Sequence, residues 1–475
     1  MLFTSINYFV FLIISLLLYY LSPVSIRKYI LIFVSLYFYS FVSIAFTLLI
    51  LFLIVLNYFS GIYIGNNYEH NIRKKILFIS IILNVSVLIY FKYLAFIIEN
   101  IFHLFNIIYT ENSFLTNIIL PLGLSYYTFQ NIGYLIDIYR GSLLPEKNIF
   151  TYALFILFFP KLLVGPIERG KHFLIQLNTS VFFHSNNLIE GGKRIVWGLF
   201  KKLVVAERIA LYVAVIDAQP EKQSGLTIFV ASLLYTIQVY ADFSGYADMA
   251  IGSAKLFGYN LMENFNKPLF AKNLSDFWRR WHISLSSWVN DYIFNPILLS
   301  KRNWKNYGVL FALLISFMII GIWHGASWNY LIFGIIQAIV LYAELLSKKM
   351  RIKIAKSFHP GLYNILSIAF TFLFVSFCLI IFRSPSVDKS SEIFHSMYKN
   401  FGGLYIDRPS TFIFIFLGIL LMILYDLKQT FNYPVFNFTS IHNNWIVQNV
   451  TYAFLIIYIL IAGVFDAGQF IYFSF

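Results

Sequence analysis

Two of the nine histidines in this sequence stand where chemistry is possible. His282 lies in the string Phe277-Trp278-Arg279-Arg280-Trp281-His282-Ile283-Ser284-Leu285-Ser286, and His324 in Gly321-Ile322-Trp323-His324-Gly325-Ala326-Ser327-Trp328-Asn329. Both combine a hydrophobic context with flanking Trp and small or hydroxyl residues. A buried neutral imidazole, with an ordinary pKa of about 6.5, is suited to take a proton from a hydroxyl or a thiol. The competing reading is a structural histidine on an apolar face, and the expense of polar groups in lipid weighs against it. The others offer less. His70, His172, His184, His359, His395 and His442 lie in or beside polar loops, where solvent exposure is the plain expectation, and His103 has no motif around it.

The acidic candidates come from Tyr240–Met249, where Asp242 and Asp248 end an apolar run. Ionised carboxylates there are costly unless paired, and Arg279 and Arg280 are the nearest partners in sequence. Either the four charges only lock helices together, or at least one arginine binds a carboxylate or the phosphates of a donor, as its bidentate geometry favours. A zinc site would need a third strong ligand at helical spacing. None appears, and the single cysteine, Cys378, excludes a multi-cysteine site, so no metal is expected. The nucleophile elbow Gly-x-Ser-x-Gly is absent as well, although Ser244 and Ser327 sit next to glycine or near it.

The elements that position these residues are set by composition. Of 475 residues, 59% are hydrophobic and 12% charged, against about 25% charged in a soluble domain. That excludes a water-soluble enzyme, and an aromatic content of 20% excludes a disordered chain. The near-continuous apolar runs Phe11–Leu21 and Leu366–Phe382 lack the alternation of an outer-membrane barrel. The expected fold is therefore all-α: a polytopic helical membrane protein of roughly 11–13 spans, with re-entrant or interfacial helices, around a central polar cavity. Windows of spanning length fall near 5–22, 29–43, 44–62, 75–91, 94–109, 114–136, 150–165, 195–216, 225–243, 308–323, 328–346, 362–383, 411–426 and 446–464. Of these, 94–109 and 150–165 are the ones expected to be re-entrant or interfacial, the second being broken by Pro160, Gly165 and Pro166. The segment Tyr235–Pro296 reads as too polar for a continuous span. No repeat or linker divides the chain, so one membrane domain is expected over 1–475, with core motifs at 120–347 and an aromatic tail at 465–475.

The net charge of +14 is assigned to cytoplasmic loops and not to nucleic-acid binding. Arg27-Lys28, Arg73-Lys74-Lys75 and the cluster Lys348, Lys349, Arg351, Lys353, Lys356 are expected inside, which leaves both termini extracytoplasmic. The first apolar stretch lacks a basic leader and a cleavage site, and is expected to be a retained span.

These strings, taken together, resemble the membrane-bound O-acyltransferase family, in particular its bacterial branch of alginate and peptidoglycan O-acetyltransferases. The likeness runs from Leu120-Pro121-Leu122-Gly123 through Asp137-Ile138-Tyr139-Arg140-Gly141, Phe159-Pro160 and Gly165-Pro166-Ile167-Glu168-Arg169 to Tyr240–Met249, Phe277–Ser286 and Gly321–Asn329. The resemblance implies that His324 is the family's near-invariant histidine and general base, and that His282 is the second histidine of the catalytic region. Arg279 and Asn329 would help His282 position donor or base, and Arg280, Trp281, Asp242 and Asp248 are further donor-site candidates. It also implies acetyl-CoA as acyl donor with no permanently bound cofactor. Expected partners are membrane lipid, an extracytoplasmic acetyltransferase of the SGNH type, and a cell-surface polysaccharide as final acceptor. The expected location is the bacterial cytoplasmic membrane. Teichoic acid D-alanyl transferases share the outline and form the alternative enzyme reading. A small-solute transporter also fits intramembrane charges and broken helices, but the inverted repeats that would favour it are not found.

The tail Phe470-Ile471-Tyr472-Phe473-Ser474-Phe475 carries four aromatics, where polar, poorly ordered termini are the norm. One reading is an interfacial anchor. The other folds the tail back so that the Tyr472 hydroxyl meets His324. A phenol with a pKa of about 10 is a usable nucleophile once a base removes its proton, which would make Tyr472 a transient acyl carrier. Similar tails in the family and its small partner proteins imply the same role.

Overall fold

Apolar runs in lipid satisfy their own backbone hydrogen bonds as helices, and that is the form they take here. The computed structural model describes residues 2–41, 43–67, 69–107, 118–406, 408–431 and 445–465, and among these it is helical with no strand. Seven helices among the described residues are long and apolar enough to cross a membrane: Ile44–Asn66, His70–Leu104, Gly225–Leu256, Asn306–His324, Trp328–Leu346, Pro360–Arg383 and Pro409–Leu427. Two shorter apolar helices are Ile6–Leu21 and Asn449–Ala462. The polytopic helical architecture is as the composition requires, and the remaining expected crossings fall on shorter or broken helices.

Three stretches differ from expectation. The windows 75–91 and 94–109 form one helix, His70–Leu104, which passes through a π turn at Ile89–Tyr93. No proline or glycine lies between the two windows to break them. Tyr235–Pro296 is broken into short helices beyond Leu256, as its polarity predicts, but its first part differs: the helix expected over 225–243 runs on to Leu256, a single helix of 32 residues. Its Ser232, Thr236, Gln238, Asp242 and Ser244 are buried, so protein surrounds these groups and the lipid penalty does not apply. Window 195–216 is not a regular span either. Helix Ser185–Leu199 runs through a π turn, Phe200–Ala206, into helix Glu207–Ala218.

The chain divides into two compact units, Met1–Arg194 with Ala250–Met262 and Ile195–Met249 with Glu263–Phe475. In the first, Asn57 and Asn84 exchange reciprocal side-chain hydrogen bonds of 3.1 and 2.8 Å between helices Ile44–Asn66 and His70–Leu104. A buried amide pair of this kind satisfies groups that lipid cannot. The window 150–165 is broken, as its prolines require, into Ile149–Leu157 and the single turn Phe159–Leu162. From Thr151 onward both pieces are buried, the condition under which irregular backbone is tolerated at membrane depth. Lys161 in that turn is 0% exposed, donates to Gln130 Oε1, and lies over the rings of Phe155 and Phe173 at 5.0 and 5.5 Å.

The same unit holds His172 more firmly than a solvated loop residue. Its Nδ1 lies 2.9 Å from Oε2 of the buried Glu168. Gln176 exchanges hydrogen bonds of 2.9 Å with the backbone of Asn260, and Glu168 Oε1 accepts from Met262 N. Helix Gly170–Leu177 thereby fastens the segment at 260–262.

In the second unit the π turn lies beside helix Gly225–Leu256 at a crossing of Gly198 and Gly245. A Cβ on Gly198 would come within 2.6 Å of Gly245 O, and one on Gly245 within 2.8 Å of Gly198 O. Small residues of this kind let helix backbones approach closely in membranes.

Candidate active site

Helix Asn306–His324 ends on its histidine, and Ser327 caps the next helix, Trp328–Leu346, by accepting from Asn329 N. His324 is therefore held at a tight turn between two spans, and it is 4% exposed. His282 arrives from a different kind of element. It precedes the short helix Ile283–Val289 with a left-handed backbone, φ 44° and ψ 53°, and it is 0% exposed. Few L-residues adopt that conformation, and those that do cluster at functional sites.

The rings meet in file. His282 packs edge-on against Trp323 with centroids 5.4 Å apart, and Trp323 against His324 at 4.9 Å. Phe243 closes one end of the row at 4.7 Å from His282, and Phe382 the other at 5.0 Å from His324. The indole thus stands between the two imidazoles that the sequence singles out. His282 lies outside the crossing helices, and burial pushes its pKa down to about 3, so the ring is neutral across the physiological range. Its Nδ1 lies 3.1 Å from Asn264 Oδ1, which also accepts from Ser284 N at 3.2 Å and Ser284 Oγ at 2.8 Å.

The acidic residues take other partners than those expected. Asp242 Oδ1 is held by Lys202 Nζ at 2.6 Å, and Lys202 also pairs with Glu207. Asp248 Oδ2 lies 2.5 Å from Lys201 Nζ, which donates to Ser244 Oγ at 2.9 Å. Nearby, the Tyr240 hydroxyl donates to Asp426 at 2.9 Å. Arg279 and Arg280 meet Asp276 one turn earlier on their own helix, at 3.7 and 3.0 Å, and the Arg279 side chain is 72% exposed. The correction has a plain cause: the glycine crossing carries the π-turn lysines to the carboxylates, whereas sequence distance made the arginines look nearer.

Trp281 stacks on Phe277 at 5.4 Å and meets Phe265 at 5.1 Å, one ring removed from the file. Asn329 Nδ2 donates to Ile381 O, Ser384 O and Ser390 Oγ at 3.0, 2.9 and 3.2 Å. It ties the end of helix Pro360–Arg383 to the turn that carries His324. Tyr472 lies outside the described residues. Sequence reading missed Lys201, Lys202, Glu207 and Asn264. The two lysines within an apolar run were a usable signal, but nothing in the spacing marks Asn264. Among the described residues no three His, Cys, Asp or Glu side chains group as metal ligands.

A buried imidazole at a helix end can take a proton from a hydroxyl or thiol, and a second, neutral imidazole at a left-handed turn can orient the groups around it. Residues 143–384, which include both, match the membrane-bound O-acyltransferase family. The chain belongs to that family. It is 34% identical to a protein named "Probable alginate O-acetylase AlgI" from Azotobacter vinelandii, over 83% of this chain and 77% of that one. Its identity to the peptidoglycan O-acetyltransferase of Helicobacter pylori is 32%, over 72% of this chain and 68% of that one. A teichoic acid D-alanyltransferase of Bacillus subtilis is 31% identical over 56% of this chain and 69% of its own. This protein is a multi-pass membrane acyltransferase.

Proposed function

We propose that the protein moves an acetyl group from acetyl-CoA on the cytoplasmic side to an extracytoplasmic polysaccharide resembling alginate or peptidoglycan. The observation that carries this reading is the file His282–Trp323–His324, buried within one unit of a membrane O-acyltransferase. His324 takes the proton of the attacking hydroxyl, the oxygen adds to the thioester carbonyl, and collapse expels the thiolate. The imidazolium returns the proton to sulfur, so thioester and alcohol become ester and thiol. The neutral His282 orients the donor or the base, and Arg279, Arg280, Trp281, Asp242, Asp248 and Asn329 support the donor side. No metal enters these steps. The names of the two acetyltransferase relatives, matched over more of this chain than the D-alanyl one, favour acetyl.

In this reading Tyr472 is the first acceptor. Its phenol is acetylated by the same proton transfer, and the aryl ester hands the group to an SGNH-type partner outside the membrane. The enzyme lies in a bacterial cytoplasmic membrane with both termini outside and Lys348–Lys356 inside, as the positive-inside bias directs. The test is transfer of radiolabelled acetyl from acetyl-CoA into the C-terminal segment in proteoliposomes. Label should appear with the wild type and not with His324→Ala, and equal labelling of the two would sink the role of His324.

A further inference from the structure

The atom that Asn264 presents to His282 is identified by a backbone group. Ser284 N lies 3.2 Å from it, and a main-chain N–H only donates. The atom is therefore the amide oxygen, which settles the orientation of the amide without reference to the histidine. An amide oxygen only accepts. Of the two states of the Nδ1 that faces it at 3.1 Å, bare or protonated, only the protonated one makes a hydrogen bond. In a neutral ring the lone pair then belongs to Nε2.

We propose that Asn264 is the positioning residue that holds His282 as the Nδ1–H tautomer and so makes Nε2 the nitrogen that meets the reacting groups. The proposal rests on the reading of His282 as part of the transfer site. A buried ring held by packing alone could carry its hydrogen on either nitrogen. With hydrogen on Nε2 it would donate where orienting a hydroxyl, a thiol or a second imidazole calls for an acceptor. Asn264 also holds the backbone that aims the ring. Its main-chain oxygen accepts from Ile283 N at 2.9 Å, while its side chain accepts from Ser284 N and Ser284 Oγ. Both carbonyls of one residue thus grip the turn that follows the left-handed His282. Asn264 is itself fully buried, so water does not compete for these bonds.

The experiment uses the full chain, labelled with ¹⁵N in its histidine rings and reconstituted in bilayers. The His282 signals are assigned by their loss in His282→Gln. The wild type should show a protonated Nδ1 and a bare Nε2. Asn264→Leu keeps the bulk and removes the acceptor, and Asn264→Asp keeps an acceptor. Asn264→Leu should lose the Nδ1–H signature and lower surface O-acetylation in a complemented deletion strain by about 10- to 100-fold, the size of loss known where a metal-bound histidine loses its orienting partner. Asn264→Asp should keep the signature and recover most of the acetylation. A bare Nδ1 in the wild type overturns the proposal, and so does wild-type acetylation in Asn264→Leu beside an inactive His282→Gln. If Asn264→Leu fails to fold, the wild-type spectrum and the Asp rescue still decide. Wild-type acetylation in His282→Gln would instead remove the underlying reading of the site, while the spectrum continues to report on Asn264.

Discussion

Gly198 and Gly245 face each other so closely that a methyl group on either would press into the carbonyl oxygen of the other. The crossing brings the π turn Phe200–Ala206 against the helix that carries Asp242 and Asp248, and the lysine–carboxylate pairs follow from it. Gly245→Ala should therefore destabilise the protein by about 1–3 kcal/mol, the usual cost of overfilling a packed contact. The control is Gly192→Ala, whose new Cβ has nothing within 4 Å and which should be neutral or slightly stabilising. Thermal unfolding in detergent compares the two. Equal midpoints would show that the helices can part without loss.

Lys202 sits between two buried carboxylates, Asp242 and Glu207. Lys202→Met leaves both without their shared cation and should cost about 3–5 kcal/mol, as breaking a buried ion pair does. Replacing all three, as Lys202→Met with Asp242→Asn and Glu207→Gln, removes the charges together and should recover much of that loss. A triple variant no more stable than the single one would assign the cost to packing.

How legible was this network in the sequence? Asp242, Asp248, His282 and His324 stood out because polar groups in apolar runs are expensive, and that reasoning needs no third dimension. Their partners did not stand out. Pairing depends on which helices cross, and the crossing at Gly198 and Gly245 turns on two residues with no side chain to announce it. The break expected after Tyr235 comes only beyond Leu256, because buried Gln238, Asp242 and Ser244 have protein and not lipid around them. Asn264 was invisible for another reason. An asparagine in a polar loop is unremarked until the N–H of Ser284, twenty positions on, appears beside its side chain.

His172 offers a pH test outside the crossing helices. The hydrogen bond to Glu168 raises its pKa above the ordinary value of about 6.5, against the opposing effect of partial burial. A group whose pKa is raised by folding adds stability that is fully present below its unfolded pKa and is lost as pH rises through the folded one. Wild type should therefore exceed His172→Gln in thermal midpoint at mildly acid pH, and the gap should narrow above about pH 6.5. A gap that does not change with pH would mean that the imidazole contributes only as a packed ring.

Tyr472→Phe keeps the ring and deletes the oxygen. A carrier role predicts loss of surface acetylation with normal expression and an unchanged thermal midpoint, since the anchoring preference of aromatic rings for the interface survives. Retained acetylation in this variant would leave the tail as an anchor and direct the acyl group straight to the external acceptor.

The two histidines also differ in what their removal should do together. If His324 is the general base, His324→Ala alone should lower transfer by about 10²–10⁴-fold. If His282 acts on the same transition state, the packing of Trp323 against both imidazoles couples a shift of one ring to the other. Residues that work as a unit lose their effects non-additively, because once one is gone the other has nothing left to assist. The double variant, His324→Ala with His282→Gln, should therefore transfer acetyl within a few-fold of the slower single variant. A buried histidine that merely fills the core would behave otherwise. Its replacement would lower the amount of folded enzyme by one factor and the missing base would lower the rate by another, so the logarithms of the two losses would add. Transfer per amount of total expressed protein, measured for the wild type, both singles and the double, separates the cases. Additive losses would return His282 to a packing role and leave His324 to act without it.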